Sequence, residues 1–297
     1  MLAMLKKPHR YQQHFEGVLG TTLELQLLAD SPRRARAVEA AVLAEIERLE
    51  QVFSSFRPTS ELSCWQAAGV ARLSPELCDL LHQAEDWMAH THGAFNPAAA
   101  AIQALYRQNP QPHEAELEAL RRDLQGPLWR LEGRVAHKLT SLPLTLNALA
   151  KGHIADQAAQ AAIQAGAQAV LVNLGGDLRH IGQAGLQVAV ADPFRTADNA
   201  APLARLRLCN WGLATSGQAR RGQHVFDPRT ARPAGAIVQA TVLAPTAATA
   251  DVLATAFCVL EPMLSLALAE VFGVGCLLVE ASGRIHSNCR FDLESIR

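Results

Sequence analysis

Between Gly166 and Asp177 the chain carries its firmest structural constraint: Ala169-Val170-Leu171-Val172-Asn173-Leu174, an almost unbroken apolar run closed by Gly175-Gly176-Asp177. A run this short, with β-branched Val170 and Val172, predicts a buried strand. A buried strand needs covering layers, and the neighbouring segments supply them. Ser31 caps a predicted helix over residues 32–52, with Ala35, Val38, Val42, Ile46 and Leu49 at helical spacing. Ser74-Pro75 opens a second helix that runs to about Thr91. Further helices are predicted over 147–165, where Gly166 can end the turn, and over 247–259. Strands are predicted over 20–28, 144–146, 186–190, 203–208, 213–216, 237–244 and 275–280, with a hydroxyl-rich loop over 53–60 and a turn at 93–97. Helices and strands alternate without a strict period, and several strands neighbour one another as hairpins. The fold class is therefore α+β (mixed α/β). Residues 1–17 read as an extension ahead of one domain over 18–297, and the polar stretch 108–133 as the place for a subdomain joint.

Composition removes several function classes. A chain of 297 residues that is 49% hydrophobic has material for a large core and is not disordered. Lys+Arg 27 against Asp+Glu 28 leaves no excess of positive charge to grip a nucleic-acid backbone. No apolar run approaches the ~18 residues of a membrane span. The six cysteines lie in no CxxC pair and at no zinc-type spacing, which predicts scattered reduced thiols. Residues 1–16 hold charge but no apolar export core and no lipid-attachment cysteine. The expected compartment is the cytoplasm, or an exported one if a signal lies outside this sequence.

The chemistry-bearing residues follow predicted strands or sit on predicted helices. Gly175 and Gly176 let a phosphate-bearing ligand approach the backbone, and Thr215-Ser216-Gly217 offers hydroxyls before another glycine; both also suit ordinary turns. Lys151 stands near the N-terminal end of a helix, where the dipole is already positive. Either a bound phosphate or acidic group offsets that, or the lysine snorkels into solvent. His224 opens the polar block His224-Val225-Phe226-Asp227-Pro228-Arg229, placed to take a proton or simply structural. Asp251 and Thr255 share one face of an otherwise apolar helix, one turn apart. A buried carboxylate there needs a cation or donors, and hard oxygens suit Mg²⁺; capping a loop is the alternative.

Read together, these blocks resemble the ApbE family, the FAD:protein FMN transferases. The match runs in order over about residues 18–260: Leu19-Gly20-Thr21, Ser60-Glu61-Leu62-Ser63, Gly93-Ala94-Phe95-Asn96-Pro97, Ala150-Lys151-Gly152 with Asp156, Asn173 with Gly175-Gly176-Asp177, Thr215-Ser216-Gly217, His224 to Thr230, and Ala250-Asp251 with Thr255. Each block is short, but their common order is specific.

The resemblance implies a two-part architecture with FAD in the cleft between the parts and Mg²⁺ at its pyrophosphate. It implies attack by a Ser or Thr hydroxyl of a partner flavoprotein on the FMN-side phosphorus, with AMP leaving. Asp251, Thr255 and the Ala148 carbonyl would bind Mg²⁺. Leu19, Ala94, Phe95, Asn96, Thr145, Lys151, Gly175, Gly176, Ser216 and Val225 would line the FAD site, with Phe53 and Phe56 placed for an aromatic to stack on flavin. His224 would take the hydroxyl proton, and Asp177 would stand behind it as a supporting polar group. The chain departs from the family where Leu19 replaces a Met and where Asn96 and Thr145 replace acidic residues. Those losses motivate the alternative of a plain FAD-binding protein; the same site chemistry with water in place of the hydroxyl gives a second alternative, an FAD pyrophosphatase yielding FMN and AMP.

Overall fold

The computed structural model describes residues 8–195, 200–217 and 225–291. The chain begins with strands β1 (His9–Val18) and β2 (Thr21–Ala29), helices α1 (Pro32–Phe53) and α2 (Glu61–Ala68), and strand β3 (Val70–Arg72). Helices α3 (Pro75–His90), α4 (Ala100–Gln108) and α5 (Glu114–Gln125) follow, then strands β4 (Trp129–Glu132) and β5 (Val135–Lys138). Helix α6 (Asn147–Gln164) leads into β6 (Ala169–Leu174), β7 (Asp177–Gly182), β8 (Leu186–Val190), β9 (Ala204–Leu208) and β10 (Gly212–Gly217). The last part holds β11 (Phe226–Asp227), β12 (Arg232–Pro233), β13 (Ile237–Ala244), α7 (Ala247–Phe257), α8 (Pro262–Phe272), β14 (Gly275–Glu280) and β15 (Ile285–Ser287).

The expected α+β class is what the chain adopts. Eight strands form one sheet in the order β1-β2-β6-β7-β10-β13-β14-β15, and its pairings are antiparallel. Helices α1, α6 and α7 cover one face, packing Val38, Ala155 and Val252 against Leu25, Val172 and Val242. The β8–β9 hairpin covers part of the other face, where Val188 and Leu206 meet Leu171, Leu213 and Leu277. Val172 thus points into one core and Leu171 into the other, which is why β6 reads as a continuous apolar run. The caps behave as their chemistry requires: Ser31 and Ser74 side chains accept from the Arg34 and Leu77 amides, each with proline in the first turn.

Several expectations change. Residues 144–146 form no strand: the Leu144 amide binds the Gln66 side chain at 2.7 Å and the Thr145 amide binds the Pro97 carbonyl at 2.8 Å. The hydroxyl-rich loop expected over 53–60 closes on Ser60, which caps α2 by accepting from the Ser63 amide, with Leu62 and Trp65 buried. Within 1–17, residues from His9 onward form the edge strand of the main sheet. The polar stretch 108–133 holds α5, anchored by buried Leu117 and Leu124, and β4 of a small β3-β5-β4 sheet. All six cysteines are free thiols. Among the described residues no helix is long and apolar enough to cross a membrane.

Candidate functional site

The expected site residues converge on one end of the main sheet because two tight hairpins turn there. Leu174 pairs with Asp177, so Gly175 and Gly176 form a two-residue turn with φ of +61° and +106°. That left-handed geometry admits glycine readily. A Cβ on Gly175 would also lie 2.3 Å from the Thr21 hydroxyl, so only glycine lets this turn sit against β2. On the adjoining hairpin Leu19 and Gly20 link Val18 to Thr21, with φ of +52° and +70°. Leu19 holds a conformation in which a branched side chain is uncommon.

Strand β10 extends past β7 at this end: Ala214 pairs with Asp177, leaving Thr215, Ser216 and Gly217 beyond it. Ser216 Oγ then meets Thr255 Oγ1 of α7 at 3.2 Å. Thr255 thus reaches across to the sheet.

Lys151 supplies the centre. Its Nζ donates to Asp177 Oδ2 and lies 3.3 Å from Asp251 Oδ2. The lysine therefore faces inward to acidic partners. The side chains of Asp177 and Asp251 are only 4% and 3% exposed, and that of Lys151 is 27% exposed. Burial opposes charge on Lys151, but the two carboxylates outweigh it and hold the ammonium above the ordinary lysine range. Burial first, and the Asp177 charge second, push Asp251 up to about 7 against the pull of Lys151.

With both carboxylates ionised, two of them share one ammonium and this buried cluster carries one unmatched negative charge, a demand that a cation would meet. Near it are the Ser216–Thr255 hydroxyl pair and, at the start of α6, the Ala148 carbonyl. Gly152 donates its amide to Asp251 Oδ2 at 3.3 Å, and by helix geometry the same N–H faces Ala148 one turn earlier. No group of three or more His, Cys, Asp or Glu side chains able to hold a metal occurs among the described residues. A cation here would use one or two carboxylates with neutral oxygens and ligand phosphates, the coordination Mg²⁺ favours.

The remaining expected residues stand around this cluster or outside it. Ala94 and Phe95 are buried, with the Phe95 amide bound to Thr91 Oγ1 at 3.1 Å. Asn96 donates to the Leu124 carbonyl at 2.9 Å and accepts from the Ala98 amide at 2.8 Å. Thr145, which meets the Ser55 hydroxyl at 3.4 Å, links that turn to the start of α6. Val225 is half-buried and accepts from the Ala234 amide at 3.0 Å. Phe53 is 1% exposed in the core and has no face to offer a ligand, whereas Phe56 is 80% exposed. His224 lies outside the described residues.

Sequence reasoning passed over Gly152 as a site residue and gave Asp156 no role. A glycine inside a helix is worth about 1 kcal/mol less than alanine, so Gly152 itself signals a close approach. Asp227 and Arg229 also pair through two bonds of 2.9 and 2.8 Å, and Arg229 reaches the Val259 carbonyl at 3.0 Å, fixing the 226–233 hairpin to the end of α7.

A sequence model of the ApbE family matches residues 19–278. The chain belongs to the ApbE family. It is 31% identical to a FAD:protein FMN transferase of Treponema pallidum, over 92% of this chain and 85% of that protein. It is 29% identical to a FAD:protein FMN transferase of Rhodobacter capsulatus, over 82% of this chain but only half of that longer protein. Among solved structures, the apo form of the Pseudomonas stutzeri flavinyl transferase ApbE superposes with a TM-score of 0.83 at 23% identity, covering 98% of both chains. The ApbE protein of Thermotoga maritima also gives 0.83 at 23% identity, covering 95% of this chain and 98% of the other. These likenesses establish the ApbE fold, and family membership makes the chain a transferase.

Proposed function

We propose that this protein transfers FMN from FAD to a Ser or Thr hydroxyl of a partner flavoprotein and releases AMP. The observation that carries the reading is the Lys151–Asp177–Asp251 cluster, with Thr255 and Ser216 beside it, built on the residues that match the family's blocks. In the reaction the acceptor oxygen bonds to the FMN-side phosphorus, the phosphorus–oxygen bond to AMP breaks, and the hydroxyl proton leaves to a base. Such a transfer depends on positioning and charge neutralisation more than on covalent help from the protein.

Asp251, Thr255 and the Ala148 carbonyl would hold Mg²⁺, which when bound neutralises diphosphate charge and stabilises the departing phosphate oxygen. Lys151 adds a fixed positive charge to the same end of the sheet, and Asp177 keeps it there. The Gly175-Gly176 turn allows the diphosphate close to the backbone. Leu19, Phe56, Thr145 and Val225 are assigned to the flavin and nucleotide walls. His224, three residues ahead of the Asp227–Arg229 pair, is assigned to the acceptor's proton.

The binding-only alternative loses one of its supports. Asn96 uses its amide to donate to Leu124, a bond an ionised aspartate could not make, so this substitution is matched by its surroundings. Incubation with FAD, Mg²⁺ and a flavin-acceptor domain tests the reading. Covalently fluorescent acceptor with matching AMP is expected. Free FMN with AMP would instead mean hydrolysis, and unchanged bound FAD would mean binding alone.

A further inference from the structure

We infer that Asp156 is a positioning residue: it holds α7 in register against α6 and so sets Asp251 beside Gly152, Lys151 and the Ala148 carbonyl. The inference deepens the proposed function, because Asp251 is the residue assigned there to the cation.

Asp156 lies on α6, five residues beyond Lys151 and one turn beyond Gly152. Its Oδ1 accepts from the Ala247 amide at 2.9 Å and its Oδ2 from the Ala248 amide at 3.0 Å. These are the first two amides of α7, which have no partner inside their own helix. Thr246 caps the next one, accepting from Thr249 at 3.1 Å. Arg179 braces the arrangement from β7: its Nε lies 3.2 Å from Asp156 Oδ1, and its Nη1 donates to the Pro245 and Asn210 carbonyls at 2.6 and 3.1 Å. Among the described residues, Asp156 makes these contacts and none to Lys151, Asp177 or Asp251.

The two helices run in opposite directions where they meet. Moving four residues back along α6, from Asp156 to Gly152, corresponds to moving four forward along α7, from Ala247 to Asp251. Gly152 lets them approach this closely, and Gly212 lets β10 approach the same end of α7. A Cβ on Gly152 would stand 2.3 Å from the Ala247 carbonyl oxygen, and one on Gly212 of β10 would stand 2.4 Å from the Ala247 amide nitrogen. Small residues permit a close crossing but do not select one register. Directional bonds do, and the carboxylate of Asp156 provides two of them with an orientation the helix dipole favours. The paired bonds at Ala247 and Ala248 therefore fix where Asp251 falls, about 6 Å further along α7 at 1.5 Å per residue.

The test uses full-length Asp156→Ala and Asp156→Asn, with Ser74→Ala as a helix-cap variant far from the crossing and Asp251→Asn as a check on the cation assignment. Two quantities are read: hydrogen exchange at the Gly152 amide, and the dissociation constant of Mn²⁺ alone by electron paramagnetic resonance. Asp156→Ala is expected to speed Gly152 exchange about tenfold or more and to weaken Mn²⁺ binding by roughly 10–100-fold, the range for residues that orient a metal ligand. Asp156→Asn, which keeps one acceptor oxygen, should fall between, and Ser74→Ala should change neither. Gly152 exchange and Mn²⁺ affinity both within about twofold of the parent, in Asp156→Asn if the alanine variant fails to fold, would overturn the inference. If Asp251→Asn leaves Mn²⁺ binding intact, the cation assignment falls, and Gly152 exchange alone decides the role of Asp156.

Discussion

The ammonium of Lys151 is hydrogen-bonded to the carboxylate of Asp177, tying the second turn of α6 to the first residue of β7. The same ammonium faces Asp251 on α7, so one side chain holds three elements of the main core together. Both carboxylates are almost fully buried, and neither would be stable there without it.

Lys151→Met is therefore expected to destabilise the protein by about 3–5 kcal/mol, as removal of one partner from a buried ion pair does. The deficit should depend on pH. A carboxyl whose folded pKa is raised, as that of Asp251 is to about 7, favours the fold at low pH and loses that contribution as pH rises through this value. Without Lys151 the rise is larger. Urea midpoints should show a greater loss at about pH 8 than at about pH 5; the opposite order would contradict the charge assignment.

Lys151 and Asp177 also show what a sequence can reveal. The one-turn spacing of Asp251 and Thr255, and the misfit of a lysine at a helix N-terminus, were visible in the chain because both are local. The pairing of Lys151 with Asp177 spans 26 residues and depends on β7 folding back beside β6, which no local pattern encodes. The long helices α1, α3 and α6 and the apolar strands β6, β13 and β14 were legible from caps and periodicity. Strand β1, polar and lying at the sheet edge, and helix α5, with only Leu117 and Leu124 buried, were not, because so little of either faces the core.

Gly152→Ala tests the helix crossing. Alanine gains about 1 kcal/mol in helix propensity. Its Cβ, however, would meet the Ala247 carbonyl carbon and oxygen and the Ala248 amide at 2.3–2.6 Å, and backbone cannot step aside cheaply. A net loss of about 1–3 kcal/mol is expected, with FMN transfer reduced more than tenfold in the folded fraction. Gly126→Ala, where the nearest atoms lie at 3.5 Å, should leave both within error. Calorimetry and initial rates separate the two outcomes; equal behaviour of both variants would refute the crossing.

Acid should weaken the fold through His180. Its ring is fully buried, and Nδ1 accepts from the Asn210 amide at 3.1 Å, so the neutral tautomer is held with its proton on Nε2. Burial lowers its pKa. A histidine with a depressed folded pKa contributes fully above its unfolded value, near 6.5, and loses that contribution as pH falls toward the folded value. As pH falls below about 6.5 the protein should lose stability through this group. His180→Gln should show a shallower acid limb in thermal melts, whatever its stability at neutral pH.

Thr255→Val removes the hydroxyl that meets Ser216 while keeping the shape of the side chain. Stability should fall by about 1 kcal/mol, typical of one lost hydrogen bond. The Mg²⁺ concentration giving half-maximal rate should rise by roughly tenfold, since a proposed ligand is gone. A normal metal requirement would move Thr255 out of the proposed cation shell and leave it as a link between α7 and β10.

The most direct test of the central claim is transfer by the wild-type and Asp251→Asn proteins at increasing Mg²⁺, read by intact mass of an acceptor domain with a Ser/Thr target. One FMN added per acceptor and one AMP released are expected, in the wild-type protein only and only with the metal present. Equal FMN addition by Asp251→Asn, or undiminished addition by the wild-type protein in excess chelator, would contradict it.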